Sequence, residues 1–323
     1  MALKFTTSDG TKRHSKLREK AIIEHLLLPG GLMQVTGCSK AGKSFLLIEM
    51  ALQLANGGSI FGQAVKQSHR VAYYNGELTW EEFHTRLDEL ARYRGLSPND
   101  VLGIHRMEGD RWQEVVDCTA VLQDHDIGVL IIDPISATYS GKVKDENSNS
   151  DIYEHLNEIR ETFSKMGITI IYAHHHTKSG ASGNAVNSGS GAGAFARVGT
   201  AFVDMEESVG GLHLRFKSRT YKQLDAISVK PVDVIDEEGE PCAIAFDWEP
   251  IQTPRERIWN EVLSYTKENP WSKKTQITTH VTGNKNTVSE VLDDMVSDGA
   301  LVKKQVQERG NPIVFSHPSA VAN

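Results

Sequence analysis

From about residue 31 to 250 the chain alternates short apolar runs with longer stretches in which apolar residues recur every three or four positions. The runs predict strands over Leu32–Thr36, Arg70–Asn75, Val101–His105, Val129–Asp133 and Ile168–His174. The amphipathic stretches predict helices over Lys43–Ala55, Trp80–Tyr93, Trp112–His125 and Asp151–Met166. Strand and helix in strict alternation imply an α/β fold built on a mainly parallel sheet. After residue 200 the pattern becomes strands with short connections, over Ala201–Met205, Leu212–Lys217, Ile227–Val234 and Cys242–Trp248. The run Asp236-Glu237-Glu238-Gly239-Glu240 supplies a hairpin turn between the last two, so the sheet is expected to end in an antiparallel edge.

A boundary falls near Thr253-Pro254. Beyond it Ile258, Val262 and Tyr265 mark one helix and Thr275–Val281 a second. Val288, Val291, Leu292, Met295 and Val296 then recur at helical spacing up to Gly299. Leu301–Val306 and Ile313–Ser316 read as two strands around the polar turn Glu308-Arg309-Gly310-Asn311. This order resembles a winged-helix domain. The expected organisation is a basic arm over 1–20, an α/β domain over 21–253 and a small winged-helix domain over 254–323.

The chain has 323 residues, too many for one core to grow without dividing, which agrees with two domains. Residues 1–20 hold six basic against two acidic residues, 21–253 hold 20 against 32, and 254–323 hold nine against eight. Any nucleic-acid contact must therefore be local, and the basic start is either a nucleic-acid or partner arm or a solvated tail. No apolar run is long enough to span a bilayer, and the charged N-terminus lacks the apolar core of a signal peptide. Cys38, Cys118 and Cys242 lack metal-ligand spacing and suit reduced thiols. These features lead us to expect a cytoplasmic protein with no membrane partner.

The first predicted strand runs into Gly37-Cys38-Ser39-Lys40-Ala41-Gly42-Lys43-Ser44, which fits the phosphate-cradling pattern G-x-x-x-x-G-K-[ST]. Gly37 and Gly42 permit backbone angles closed to other residues, so that successive N–H groups can face phosphate oxygens. Lys43 is placed to neutralise the β and γ phosphates of ATP, Ser44 to hold Mg²⁺, and the helix that follows adds its positive end. Cys38 reads as a small filler within the loop.

Four further strand ends carry candidate chemistry. Gly128–Asp133 is an apolar strand delivering one acid to the edge where such sheets bind ligands, which makes Asp133 the second Mg²⁺ residue. Glu77, ending Tyr73-Tyr74-Asn75-Gly76-Glu77, either takes a proton from attacking water or caps the next helix. His174-His175-His176 closes a strand, where a polar side chain could sense the γ-phosphate. Adjacent strand residues point to opposite faces, which argues against a shared metal ion. The Gly/Ser-rich segment 177–194 that follows is expected to be a mobile functional loop. Arg219, in the cationic end Lys217-Ser218-Arg219-Thr220-Tyr221-Lys222, either stabilises transition-state charge or belongs to a solvated edge.

In this order the motifs GCSKAGKS, YNGEL with Arg86-Leu87, IIDPI, DENSNSD at 145–151, HHTK at 175–178 and GSGAGAFAR at 189–197 resemble the RecA-like ATPases. Within these they are similar to the RepA-type hexameric replicative helicases of plasmids and phages. The likeness covers about residues 22–225. The resemblance implies ATP and Mg²⁺ as cofactors, Lys43 and Ser44 in the phosphate loop, Asp133 as metal acid and Glu77 as catalytic base. It also implies His175 and His176 as a sensor pair, and places Arg219 near an arginine finger that reaches a neighbouring subunit. By that likeness the chain forms a homo-oligomeric ring, a hexamer, which hydrolyses ATP to move on single-stranded DNA in replication. Other replication proteins are then expected partners.

His174 and the winged helix are additions to the minimal RepA pattern. The alternative is an ATP-switched DNA-binding regulator or initiator. Its winged helix would meet duplex DNA through Lys273, Lys274, Lys285 and Arg309, although a nearly neutral domain is poorly suited to duplex phosphates.

Overall fold

A computed structural model describes residues 19–105, 113, 116, 119–139, 141–175, 192–208, 211–250, 254–307 and 311–320. The chain divides into two compact units, Met1–Pro250 and Ile251–Asn323.

In the first unit the described strands are β1 (Leu32–Gly37), β2 (Ser59–Ile60), β3 (Gln63–Ala64), β4 (Arg70–Asn75), β5 (Val101–His105), β6 (Ile127–Asp133) and β7 (Thr169–His175). They continue as β8 (Ala201–Ser208), β9 (Gly211–Ser218), β10 (Ile227–Ile235) and β11 (Pro241–Pro250). The helices are α1 (Lys43–Asn56), α2 (Trp80–Arg94), α3 (Thr119–Asp124), α4 (Asn149–Ser164) and α5 (Ala192–Val198). Nine strands form one sheet in the order β11-β10-β9-β8-β1-β7-β6-β4-β5. From β8 to β5 neighbouring strands run parallel, whereas β9, β10 and β11 pair antiparallel.

The side-chain alternation of the strands sorts the apolar residues into two layers. Met33, Val35, Tyr73, Val129 and Ile131 pack with Leu46, Leu47 and Met50 of α1 and Phe83 and Leu87 of α2. Leu32, Tyr74, Leu130 and Ile132 face the other way, toward Leu156 and Ile159 of α4 and Phe195 of α5. Strands buried on both faces read as continuous apolar runs, which is why β6 was legible.

The structure differs from the sequence expectations mainly at element ends. Strand β7 ends at His175, one residue later than expected, because Gly37 and His175 are still in register. Helix α4 begins at Asn149, two residues early, because Ser148 accepts the backbone N–H of Asp151 and caps it there. Strands β8 and β11 are longer than expected, and the short β2–β3 hairpin was not foreseen. Of the helix expected over Trp112–His125, α3 covers Thr119–Asp124, and residues 112, 114, 115, 117 and 118 lie outside the described ones. The glycine-rich segment lies outside them over 177–191, but residues 192–194, expected to be loop, open helix α5.

The second unit contains α6 (Pro254–Glu268), β12 (Ser272–Lys273), α7 (Lys274–His280), α8 (Lys285–Ser297), β13 (Val302–Gln305) and β14 (Ile313–Ser316). Its strands form a sheet in the order β12-β14-β13. Val262, Ile277, Val291, Leu292, Met295 and Phe315 make a separate core.

Candidate functional site

The phosphate-loop sequence joins the C-terminal end of β1 to the N-terminus of α1, with backbone geometry that glycine makes accessible. Gly42 has φ 85° and ψ 18°, the left-handed region. Position 37 is close-packed: a Cβ on Gly37 would come 3.0 Å from the Cβ of Met205 on β8. Lys43 is buried, and its Nζ donates to the carbonyl oxygens of Gly37 at 3.0 Å and Cys38 at 2.8 Å. Burial pushes its pKa down, while Asp133 and Glu77 pull it back up.

Asp133, at the end of β6, stands 5% exposed. Burial raises its pKa, and hydrogen bonds from Tyr73 and Ser44 oppose the rise. The Tyr73 hydroxyl donates to Asp133 Oδ2 at 2.7 Å. Ser44 and Asp133 therefore lie within hydrogen-bond reach of one another at the start of α1. Two hard oxygen donors, one a carboxylate in a dry setting, fit Mg²⁺.

Glu77 follows β4 in a tight turn. Asn75 Oδ1 accepts the backbone N–H of Leu78 at 2.9 Å and of Glu77 at 3.3 Å, and Asn75 Nδ2 donates to Leu78 O at 2.8 Å. The cap of α2 is Thr79, whose side chain accepts the Glu82 N–H while Glu82 receives the Thr79 N–H. Glu77 is thus not the helix cap that its sequence position allowed. Its carboxylate lies 3.8 Å from His175 Nε2, an ion pair when the imidazole is protonated.

The three histidines divide as strand geometry requires. His174 is buried on the opposite face, its ring centroid 4.2 Å from that of Phe195, whereas His175 meets Glu77. His176 lies outside the described residues. Among the described residues no group of three His, Cys, Asp or Glu side chains could hold a metal ion.

Arg219 is not gathered into this cluster. Gly37 pairs with Met205, whereas Ser218, its neighbour, pairs with Ala201 at the start of β8. Register thus puts Arg219 opposite Thr200, about five residues along the sheet from its own phosphate loop, or roughly 16 Å. Its backbone N–H bonds Thr200 O, and its guanidinium donates to the carbonyls of Ala196 and Arg197 at the end of α5.

Tyr73 and Asn75 are the site-supporting residues that sequence reasoning missed. Their only signal was position: two residues apart, on one face of a strand that ends beside Asp133. Thr36 is another, its hydroxyl donating to buried Asp204 at 2.8 Å just before the phosphate loop.

A phosphate loop between the first strand and helix, an acid closing β6, and a mainly parallel sheet with an antiparallel edge together define a P-loop ATPase with a RecA-like core. A model of the AAA domain family matches residues 2–181, more than half of the chain, and the protein belongs to that family. Comparison with curated proteins gave no match. No helix among the described residues is long and apolar enough to cross a membrane.

Proposed function

We propose that this ATPase is a ring-forming motor, a hexamer that hydrolyses ATP to translocate on single-stranded DNA and unwind duplex during replication. The observation that carries the reading is the 3.8 Å contact between His175 and Glu77. It joins the group beside the attacking water to the strand from which the glycine-rich 177–194 segment departs. Loss of the γ-phosphate would then be felt by the segment that grips DNA.

In this mechanism Lys43 exchanges the carbonyls of Gly37 and Cys38 for β- and γ-phosphate oxygens. The loop backbone from Gly37 to Ser44 cradles the remaining charge. Ser44 and Asp133 would hold Mg²⁺, which supplies charge neutralisation on the triphosphate when bound. Glu77 orients the attacking water and takes its proton. Arg219 stands too far from its own loop to serve it, so as a finger it acts on a neighbouring subunit and must first leave the carbonyls of Ala196 and Arg197. In such an assembly each site would be completed by the next copy.

The second unit, with its order of helix, strand, two helices and a two-stranded hairpin, fits a winged helix that adds a DNA or protein contact to the motor. A strand-displacement assay with ATP tests the proposal. Unwinding that requires hydrolysis supports it, and tight duplex binding without unwinding favours the regulatory alternative.

A further inference from the structure

Strand β4 lies beside β6, and Asn75 is in register with Asp133. Residues two apart on a strand share a face, so Tyr73 sits about 7 Å back from Asn75 on the side that packs against α1 and α2. A phenol is long enough to span that step. Tyr73 does so from a fully buried position, its ring held by Phe83 at a centroid distance of 4.9 Å. It thereby fixes the rotation of the Asp133 carboxylate. A neutral donor stabilises the charge without cancelling it, which a lysine or arginine in the same place would do.

Asn75 performs the matching task for the other acid. Only 3% exposed, it satisfies two N–H groups and one carbonyl of the Glu77–Leu78 turn. Gly76 locks that turn against β6, since its N–H donates to Asp133 O at 2.8 Å. A Cβ there would fall 2.3 Å from the Cβ of Ala137. The turn that carries Glu77 and the strand end that carries Asp133 are therefore one assembly.

We propose that Tyr73 and Asn75 are positioning residues with separate duties: Tyr73 orients Asp133 for the metal ion, and Asn75 orients Glu77 for the attacking water. This rests on the site roles given above for Asp133 and Glu77. Tyr73 bonds Asp133 itself and Asn75 bonds the backbone of the turn that carries Glu77, so each acts through its acid.

The test uses the full chain and two readouts: Mg²⁺-dependent tightening of a fluorescent N-methylanthraniloyl ATP, and steady-state hydrolysis against Mg²⁺ and ATP. Tyr73→Phe keeps the ring and removes one hydrogen bond to a charged group. It should weaken the Mg²⁺-dependent tightening about tenfold and leave binding in EDTA unchanged. Asn75→Ala should lower kcat about tenfold or more with both binding readouts unchanged, because misplacing a catalytic group costs rate without costing affinity. Asn75→Asp keeps the acceptor for the two N–H groups; it should recover part of that loss and remains measurable if the alanine variant fails to fold.

A Tyr73→Phe protein with unaltered Mg²⁺ response, or both variants losing rate and metal response in parallel, would overturn the division of duties. Asp133→Ala and Glu77→Gln run beside them separate the two levels. If those hydrolyse normally, the site reading itself is wrong; if they are inactive while Tyr73→Phe and Asn75→Ala match the parent, only the positioning inference falls.

Discussion

Phe246, on the edge strand β11, lies directly against Gly42 of the phosphate loop: a Cβ built on the glycine would come 2.9 Å from the ring's Cζ. The antiparallel extension therefore packs onto the nucleotide site. The same strand is fastened to the phosphate helix by Glu49, which accepts the Phe246 N–H at 3.0 Å and pairs with Arg94 of α2 at 2.6 Å.

Gly42→Ala should damage the loop twice, by forcing a side chain into a left-handed residue and by colliding with Phe246. We expect a loss of roughly 1–3 kcal/mol of stability and at least a tenfold loss of ATP affinity. Thermal unfolding and equilibrium binding of the fluorescent nucleotide check both. Normal affinity would show that the loop tolerates the methyl.

Arg94→Ala leaves Glu49, 1% exposed, without its cation, and should destabilise by about 3–5 kcal/mol near neutral pH. The pH dependence has a definite sign. Burial already raises the Glu49 pKa above its usual 4.5, and Arg94 opposes that rise. Removing Arg94 raises the folded-state pKa further, so the variant is penalised most where Glu49 must be ionised. The penalty should shrink as the pH falls and the carboxyl takes up a proton. Denaturant titrations at about pH 7 and pH 5 measure it, and a deficit that is equal at both would contradict the ion-pair account.

Glu77→Gln should bind ATP as the parent does and hydrolyse it about a hundredfold more slowly, since a general base contributes 10²–10⁴ in rate. Single-turnover hydrolysis beside nucleotide binding separates the two. Loss of binding would reassign Glu77 to a structural role.

Arg219→Ala should lower hydrolysis while leaving nucleotide affinity intact, because Arg219 lies away from its own phosphate loop. Mixing Arg219→Ala with Lys43→Ala should restore some turnover, as an intact arginine from one variant meets an intact loop in the other. Absence of any recovery across mixing ratios would reject a finger acting between subunits.

What could be read from the chain divides by range. Gly37 to Ser44 is a local pattern, and the apolar run into Asp133 declares a buried strand by itself, so both were legible. Tyr73 and Asn75 were not, because their value depends on the pairing of β4 with β6, residues about sixty positions apart. Glu77 stayed ambiguous until the cap of α2 was seen to be Thr79. Alternation alone separated His174 from His175, but it could not say which of them faces Glu77. For Arg219 the cationic cluster was visible while its place along the sheet was not, since that follows from the register of β9 on β8 and of β8 on β1.

The central claim is that Gly37–Ser44, Glu77 and Asp133 form the hydrolytic site of a motor driven along single-stranded DNA. Steady-state ATP hydrolysis by the full chain, with and without single-stranded DNA and with Lys43→Ala alongside, tests it most directly. The account predicts turnover stimulated several-fold by DNA in the parent and abolished in the variant. Full turnover by Lys43→Ala, or a parent enzyme indifferent to DNA, would contradict it.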